Sequence, residues 1–177
     1  DGTYVIYNLK NKYGLHPLAV TIRPALEIEL GKQNLYNFVH SGFNHIHITP
    51  DINIMRKLNK LGFIKKGIPY YGWLISIQTA VIRIATVFDI DLIFYGEDGE
   101  IEYGGSGETS KNPIYDVHYE KKVYLEGGYE KVLAASDLTA NELNFFRFPS
   151  DDELNKHALQ LTHWSYFENW DPYRNYL

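Results

Sequence analysis

The chain has 177 residues, 45% hydrophobic and 22% charged, which is enough for one globular domain with a substantial core. Its formal net charge of −5 argues against non-specific nucleic-acid binding, because such binding needs a basic surface. The absence of cysteine excludes disulfides and thiolate metal ligands, and no apolar run is long enough to predict a membrane span.

Strand and helix patterns alternate over the first hundred residues. Helices are predicted at residues 4–13, 25–41, 51–61 and 71–88. Strands are predicted at residues 18–22, 45–49 and 91–95. This alternation predicts an α/β fold with a parallel sheet and crossover helices over residues 1–105.

The pattern changes in residues 106–177. Residues 111–135 are predicted to be helical in two pieces, broken at Gly127-Gly128. The segment from Phe145 to Asp151 contains a proline and a helix cap, and the remaining tail is rich in aromatic residues. We therefore expect a mainly helical, aromatic-rich C-terminal extension of the same domain.

The ends of the sequence suggest a longer parent protein. The chain opens at Asp1 without a methionine, and an apolar helical pattern follows at once. It stops at Leu177 without a terminating pattern. We expect the printed sequence to be an internal piece.

An acidic, glycine-rich segment follows the predicted strand at residues 91–95. The carboxylates of this segment are Glu97, Asp98, Glu100 and Glu102. Ligands of open α/β sheets bind outside the carboxyl ends of the strands, and carboxylates there can hold Mg²⁺ or position a nucleophile. The segment is therefore the predicted centre of the chemistry; a solvated turn is the alternative.

A second candidate lies at the start of the chain. If a strand precedes Asp1-Gly2-Thr3, these residues stand at a strand-to-helix turn whose free backbone N–H groups can bind an anion. Simple helix capping is the alternative interpretation of the same three residues.

Several segments together resemble the N-acetyl sugar amidotransferases, a family of the PP-loop ATP pyrophosphatase superfamily. The segments that carry this resemblance are the opening Asp1–Thr21, Asn34-Leu35, Ile48-Thr-Pro50, Arg56-Lys-Leu-Asn59, Tyr95-Gly-Glu-Asp-Gly-Glu-Ile-Glu-Tyr-Gly-Gly105 and Tyr166-Phe-Glu-Asn-Trp-Asp-Pro-Tyr-Arg-Asn-Tyr176. The family's phosphate loop has the form Ser-Gly-Gly-Lys-Asp-Ser/Gly, and Asp1-Gly2 match its last two positions. Its first four positions, the strand before it and an upstream cysteine segment lie outside the printed sequence.

The resemblance implies a PP-loop, Rossmann-like fold of the adenine nucleotide alpha hydrolase type and assigns roles to individual residues. The implied catalytic residues are Glu97, Asp98 and Glu102. The implied ATP-binding residues are Asp1, Gly2, Thr3, Thr21 and Ile22, and the implied Mg²⁺ ligands are Asp1 and Asp98. The implied substrate-binding residues are Tyr103, Gly104, Gly105, Trp73, Trp170 and Asp171. For Trp73 the alternative is packing, and for the aromatic tail it is packing or a subunit contact.

The activity implied by the resemblance is an ATP-dependent conversion of a sugar N-acetyl group to an acetamidino group. It serves bacterial surface polysaccharide or flagellin glycan biosynthesis and is expected in the cytoplasm. Family members typically receive ammonia from a separate glutaminase that works with a barrel-type partner subunit. The absence of a cysteine nucleophile in this chain fits an external source of ammonia.

Other interpretations stay open. Within the superfamily, the chain could be NAD-synthetase-like or tRNA-modifying, and outside it a non-catalytic domain that binds a sugar or a partner. His45 and His47 share a strand face and are candidate metal ligands without an evident third. Arg83, within an apolar helix, could be ion-paired or could reach a phosphate.

Overall fold

The computed structural model describes residues 2–96, 112–169, 171 and 173, in which helices and short parallel strands alternate. The strands are β1 (Leu18–Ile22), β2 (Asn44–Ile48), β3 (Leu92–Tyr95) and β4 (Gln160–His163). The long helices are α1 (Gly2–Asn11), α2 (Glu29–Val39), α3 (Ile52–Lys66) and α4 (Tyr71–Val87). The short helices are α5 (Val117–Tyr119), the π-helix Glu120–Tyr124, α6 (Tyr129–Ala134) and α7 (Asp151–Leu154), and 3-10 turns lie at Asn144–Phe146 and Trp164–Tyr166.

The predicted strands and helices of the first hundred residues are confirmed, with shifted ends. The Asp51 side chain caps α3, because it accepts the backbone N–H groups of Asn53 at 2.7 Å and Ile54 at 3.2 Å. The helix continues to Lys66, beyond the predicted end. It stops where Gly67 takes the left-handed conformation and donates its N–H to the Phe63 carbonyl.

The strands form two parallel pairs, so the predicted parallel pairing is confirmed. In the first pair Leu18 of β1 lies opposite Asn44 of β2. In the second pair Leu92 of β3 lies opposite Gln160 of β4. The described residues contain these two pairs and not one continuous sheet that joins them.

Strand β4 lies in the extension that the sequence predicted to be mainly helical. Its burial does not alternate, since Leu161, Thr162 and His163 are all buried. A four-residue segment without a period-2 pattern carries no local strand signal. It becomes a strand because β3 offers a pairing edge and the surrounding core covers both of its faces.

Helix α4 connects the two strand pairs through the core. One side packs at Ala80 against Ile22 and Ile48 of the first pair. The other side enters the main core at Ile75 and Ile82, together with Ile93 of β3, Leu161 of β4 and residues from both halves of the chain. Although α4 is the most apolar helix, no helix within the described ranges is long and apolar enough to cross a membrane.

Candidate functional site

The start of α1 meets the end of β3. A Cβ atom built on Gly96, directly after β3, would lie 2.5 Å from the Gly2 Cα and 3.1 Å from the Gly2 nitrogen. A side chain at position 96 would therefore collide with the backbone of α1, whereas a Cβ at Gly2 would lie at an ordinary 3.8 Å from the Gly96 Cα. The first N–H groups of a ten-residue helix therefore lie at the carboxyl end of a parallel strand.

A second cluster of predicted site residues lies at the carboxyl end of β1. Ile22 buries its side chain in the core, so only its backbone is available at the strand end. The Trp73 indole N–H donates to the Ile22 carbonyl at 3.5 Å. The Trp73 backbone N–H donates to the Asn59 side chain at 3.2 Å, which fixes the start of α4. The structure thus brings Trp73 to the end of β1.

Thr21 also makes a cross-strand contact. Its Oγ1 atom lies 3.0 Å from Nε2 of His45 on β2. The rings of His45 and His47 stack with centroids 6.1 Å apart. Among the residues that the structure describes, no three His, Asp or Glu side chains are grouped as metal ligands. The contacts that the structure shows for the histidine pair include this ring stacking and the Thr21 hydroxyl.

The other predicted site residues are dispersed or outside the described residues. Thr3 is exposed in the first turn of α1. Asp171 is exposed in the C-terminal segment and accepts the Tyr173 backbone N–H at 3.0 Å. The predicted residues that lie outside the described ranges are Asp1, Glu97, Asp98, Glu102, Tyr103, Gly104, Gly105 and Trp170.

The Arg83 side chain forms hydrogen bonds to backbone carbonyls of the fold. Its guanidinium donates to the Arg147 carbonyl at 2.8 Å and to the Phe148 carbonyl at 3.3 Å. Both acceptors belong to the connection between the 3-10 turn Asn144–Phe146 and α7. Arg83 therefore ties α4 to this connection.

A polar aromatic cluster that the sequence did not predict lies at the carboxyl ends of β3 and β4. Tyr95 and His163 are the last residues of these strands and face each other across the pair. The Tyr95 and His163 rings stack with centroids 5.5 Å apart. The Tyr115 ring also stacks with the His163 ring, and their centroids are 5.5 Å apart. The Tyr115 hydroxyl lies 2.7 Å from His163 Nε2. Because Tyr115 and His163 are 48 residues apart, no local motif signals the contact.

Glu120 adds a buried carboxyl group to this cluster. It begins the π-helix and has no exposed surface. Burial raises the pKa of Glu120 well above its usual range, and the nearby Tyr115 hydroxyl opposes the shift in part. Within the described part of the chain, neither carboxyl oxygen forms a hydrogen bond. Burial therefore favours the neutral form of this carboxyl group in the folded protein.

A separate cleft of about 330 Å³ lies beside α5 and α7. Charged groups of both signs line it, and two ion pairs engage them. Lys121 lies 3.9 Å from Asp151, and His157 lies 3.5 Å from Asp89. Acidic and basic side chains thus lie side by side along this cleft.

The contact between the start of α1 and the end of β3 bears on the implied ATP site. A side chain at Gly96 would collide with the Gly2 backbone, and N–H groups at a helix start favour an anion. The two implied Mg²⁺ ligands, Asp1 and Asp98, lie outside the described residues. The donor set for Mg²⁺ therefore stays a prediction.

Comparison with known proteins yields no assignment. The chain matches no protein-family model, and no curated protein matches it significantly.

Proposed function

We propose that this chain is part of an ATP-dependent amidotransferase that converts the N-acetyl group of a bacterial sugar to an acetamidino group. The observation that carries the proposal is the contact between Gly2 at the start of α1 and Gly96 at the end of β3. It joins the segment that resembles a phosphate loop to the acidic segment that resembles the family signature. Both would then face one ligand.

We further propose a PP-loop type fold for the parent protein. Helix α4 contacts both β1 and β3. Strand β2 pairs with β1, and strand β4 pairs with β3. A strand that leads into α1 would end beside Gly96 and would lie between β1 and β3. It would unite the two pairs in a single parallel sheet, with the phosphate loop at its carboxyl edge.

The chemistry proceeds in two group transfers. The sugar's acetyl carbonyl oxygen attacks the α-phosphorus of ATP, and the bond to pyrophosphate breaks. Ammonia then adds to the activated carbon, loses a proton, and AMP leaves with the former carbonyl oxygen. ATP is needed because an amide oxygen is otherwise a poor leaving group. Mg²⁺, when bound, would neutralise charge on the departing pyrophosphate.

The residues of this chain would have distinct roles in that scheme. The N–H groups of Gly2 and Thr3 would hold a phosphate oxygen. The backbone of Thr21 and Ile22 would line the adenine pocket. Trp73, held at the Ile22 carbonyl, would form a wall of the same pocket or of the sugar site.

The decisive experiment is product mass analysis on the full-length protein. ATP, Mg²⁺ and ammonium are supplied with UDP-linked, CMP-linked or free N-acetyl sugars. The proposal expects AMP, pyrophosphate and a sugar in which NH replaces one oxygen. Glu97→Gln should abolish sugar-dependent pyrophosphate release without unfolding the protein.

Two other outcomes would redirect the assignment. Sugar binding without pyrophosphate release would favour the non-catalytic binding domain. Pyrophosphate release that depends on tRNA or nicotinate adenine dinucleotide, and not on a sugar, would favour another member of the superfamily. A strict requirement for glutamine in the isolated subunit would contradict an external source of ammonia.

A further inference from the structure

Helix α3 concentrates positive charge in a chain whose formal net charge is −5. It contains five of the 17 lysine and arginine residues and no aspartate or glutamate. These five residues are Arg56, Lys57, Lys60, Lys65 and Lys66. Lys66 turns back onto the fold, where its ammonium group donates to the Gly127 carbonyl at 2.8 Å. The other four side chains are exposed, and within the described residues they form no ion pair.

The packing of α3 against α4 decides which side of α3 faces solvent. The buried residues of α3 are Met55, Leu58 and Gly62. A Cβ atom built on Gly72 of α4 would lie 2.8 Å from the Leu58 Cβ, so the two helices approach closely along this side. At about 100° per residue, Arg56, Lys57 and Lys60 fall on the opposite side of the helix. The fold therefore directs these cations toward solvent.

The exposed side of α3 also carries large apolar side chains. Phe63 and Ile64 are 61% and 66% exposed, and Ile52 at the start of the helix is 39% exposed. They share one side of the helix with the three cations, and we call this surface the basic apolar stripe: Ile52, Arg56, Lys57, Lys60, Phe63 and Ile64. It extends for about 18 Å along the helix axis. Exposed apolar side chains that cluster in this way mark interaction surfaces, whereas single ones are ordinary.

Two acidic side chains lie near the stripe. Asp51 uses its carboxylate to cap α3. The Glu142 carboxylate accepts the Thr139 backbone N–H at 2.8 Å and the Thr139 hydroxyl at 2.7 Å. These hydrogen bonds, followed by the charge of Lys57, lower the pKa of Glu142. Both carboxylates thus have partners within the fold, and the positive charge of the stripe stays available to an external partner.

The chemistry of the stripe fits an anionic lipid surface better than a protein or a nucleic acid. Lysine is depleted from protein interfaces, and its ammonium group is strongly hydrated. Nucleic-acid bases stack on aromatic or arginine side chains, whereas Ile52 and Ile64 are aliphatic. Anionic headgroups attract lysine and arginine at the membrane surface, and the acyl boundary beneath them accepts aromatic and aliphatic side chains.

We propose that the basic apolar stripe of α3 docks on an anionic lipid bilayer. The helix lies parallel to the bilayer surface. Phe63 and Ile64 enter the boundary between headgroups and acyl chains, and the cations Arg56, Lys57 and Lys60 lie among the headgroup phosphates. The docking is peripheral and reversible, because binding of this kind scales with a small buried apolar area and with the attraction of a few charges. It does not depend on the ATP chemistry proposed above.

Cosedimentation of the full-length protein with lipid vesicles tests the docking. Vesicles of phosphatidylcholine alone are compared with vesicles that contain equal amounts of phosphatidylcholine and phosphatidylglycerol. The protein should bind the anionic vesicles and not the neutral ones, and binding should weaken as salt rises. The double variant Lys57→Gln, Lys60→Gln should bind about 25-fold more weakly, because each cation near an anionic surface contributes about fivefold.

The matched control for charge is Lys32→Gln combined with Lys156→Gln. It removes the same charge from exposed positions outside α3 and should bind like the wild type. Ile64→Ser should weaken binding about tenfold through lost apolar contact. Its control is Leu26→Ser, because Leu26 is 86% exposed and lies before α2. All these side chains are exposed, so the variants should keep the wild-type circular dichroism spectrum.

Several results would overturn the proposal. They are the absence of binding to the anionic vesicles, equal binding to both kinds of vesicle, and equal losses in the Lys57→Gln, Lys60→Gln variant and its control. Single-stranded RNA and polyglutamate are tested in parallel. If the protein binds one of these polymers through Lys57 and Lys60 but does not bind vesicles, the membrane is excluded and the stripe is assigned to a nucleic acid or an acidic protein.

Discussion

The two strand pairs have the same geometry but opposite environments. Each is a short parallel pair that contains a histidine. His45 of β2 lies in a partly exposed pair and contacts Thr21, whereas His163 of β4 is buried among tyrosine rings. The first pair is backed by the small core group Ile22, Ile48 and Ala80, and the second belongs to the main core. Strand pairing alone therefore does not determine what a polar side chain on the strand does.

The largest expected difference between the pairs is in core stability. Leu161→Ala in β4 removes a side chain with no exposed surface, and Ile48→Ala in β2 is the matched control at 8% exposure. We expect about 4 kcal/mol of destabilisation for Leu161→Ala and about 2 kcal/mol for Ile48→Ala, because Leu161 is fully enclosed by the main core and its surroundings can collapse less into the cavity. Denaturant unfolding of both variants measures this. Equal losses would show that the two cores are equally rigid.

The contact between α1 and β3 gives the next largest effect. Gly96→Ala places a methyl group against the Gly2 backbone, which must move. We expect a loss of about 1–3 kcal/mol, as for other overpacked sites, together with loss of the proposed ATP-dependent turnover. Gly31→Ala in α2 is the control, because the new Cβ would meet only Ile28, at 3.8 Å. This substitution should stabilise the helix by about 1 kcal/mol. Full activity in Gly96→Ala would remove this contact from the proposed site.

The difference between the strand pairs also explains how much of the fold the sequence could predict. Strand β2 was predicted because His45-Ile-His-Ile-Thr49 alternates, which is the signature of a strand with one covered face. Strand β4 is covered on both faces and shows no alternation, so its identity depends on β3, which is far away in sequence. Local patterns predict elements whose burial is one-sided and miss those that tertiary contacts create.

The same limit applies to the sites. The resemblance assigned Ile22 to ATP binding and Trp73 to substrate binding, and in the structure the Trp73 indole contacts the Ile22 carbonyl. The sequence did not predict Glu120, Tyr115 and His163, because each looks ordinary in its own segment. A glutamate in a helical stretch is usually solvated. Only the assembled core shows that Glu120 is fully buried.

Glu120 should give the β3–β4 half a characteristic pH dependence. The pKa of Glu120 is raised in the folded protein, whereas it is about 4.3 in the unfolded chain. At a pH between these two pKa values, the native state binds up to one proton more than the unfolded state. The contribution to stability is full below that range and falls as pH rises, by up to about 1.4 kcal/mol per pH unit. Denaturant unfolding across this range should show the slope in the wild type and lose it in Glu120→Gln. An unchanged slope would mean that Glu120 ionises normally.

His45 should give the β1–β2 half a weaker dependence of opposite sign. Burial, followed by the charge of His47, lowers the pKa of His45. The folded state then binds fewer protons, so the stability contribution is present above about pH 6.5 and is lost as pH falls. Because His45 is only partly buried and solvent screens its charge, we expect less than about 1 kcal/mol. The free energy of unfolding is measured one pH unit above and one below pH 6.5. It should be smaller at the lower pH in the wild type, less so in His47→Gln, and unchanged by pH in His45→Gln. A loss that persists in His45→Gln would assign the acid sensitivity to another histidine.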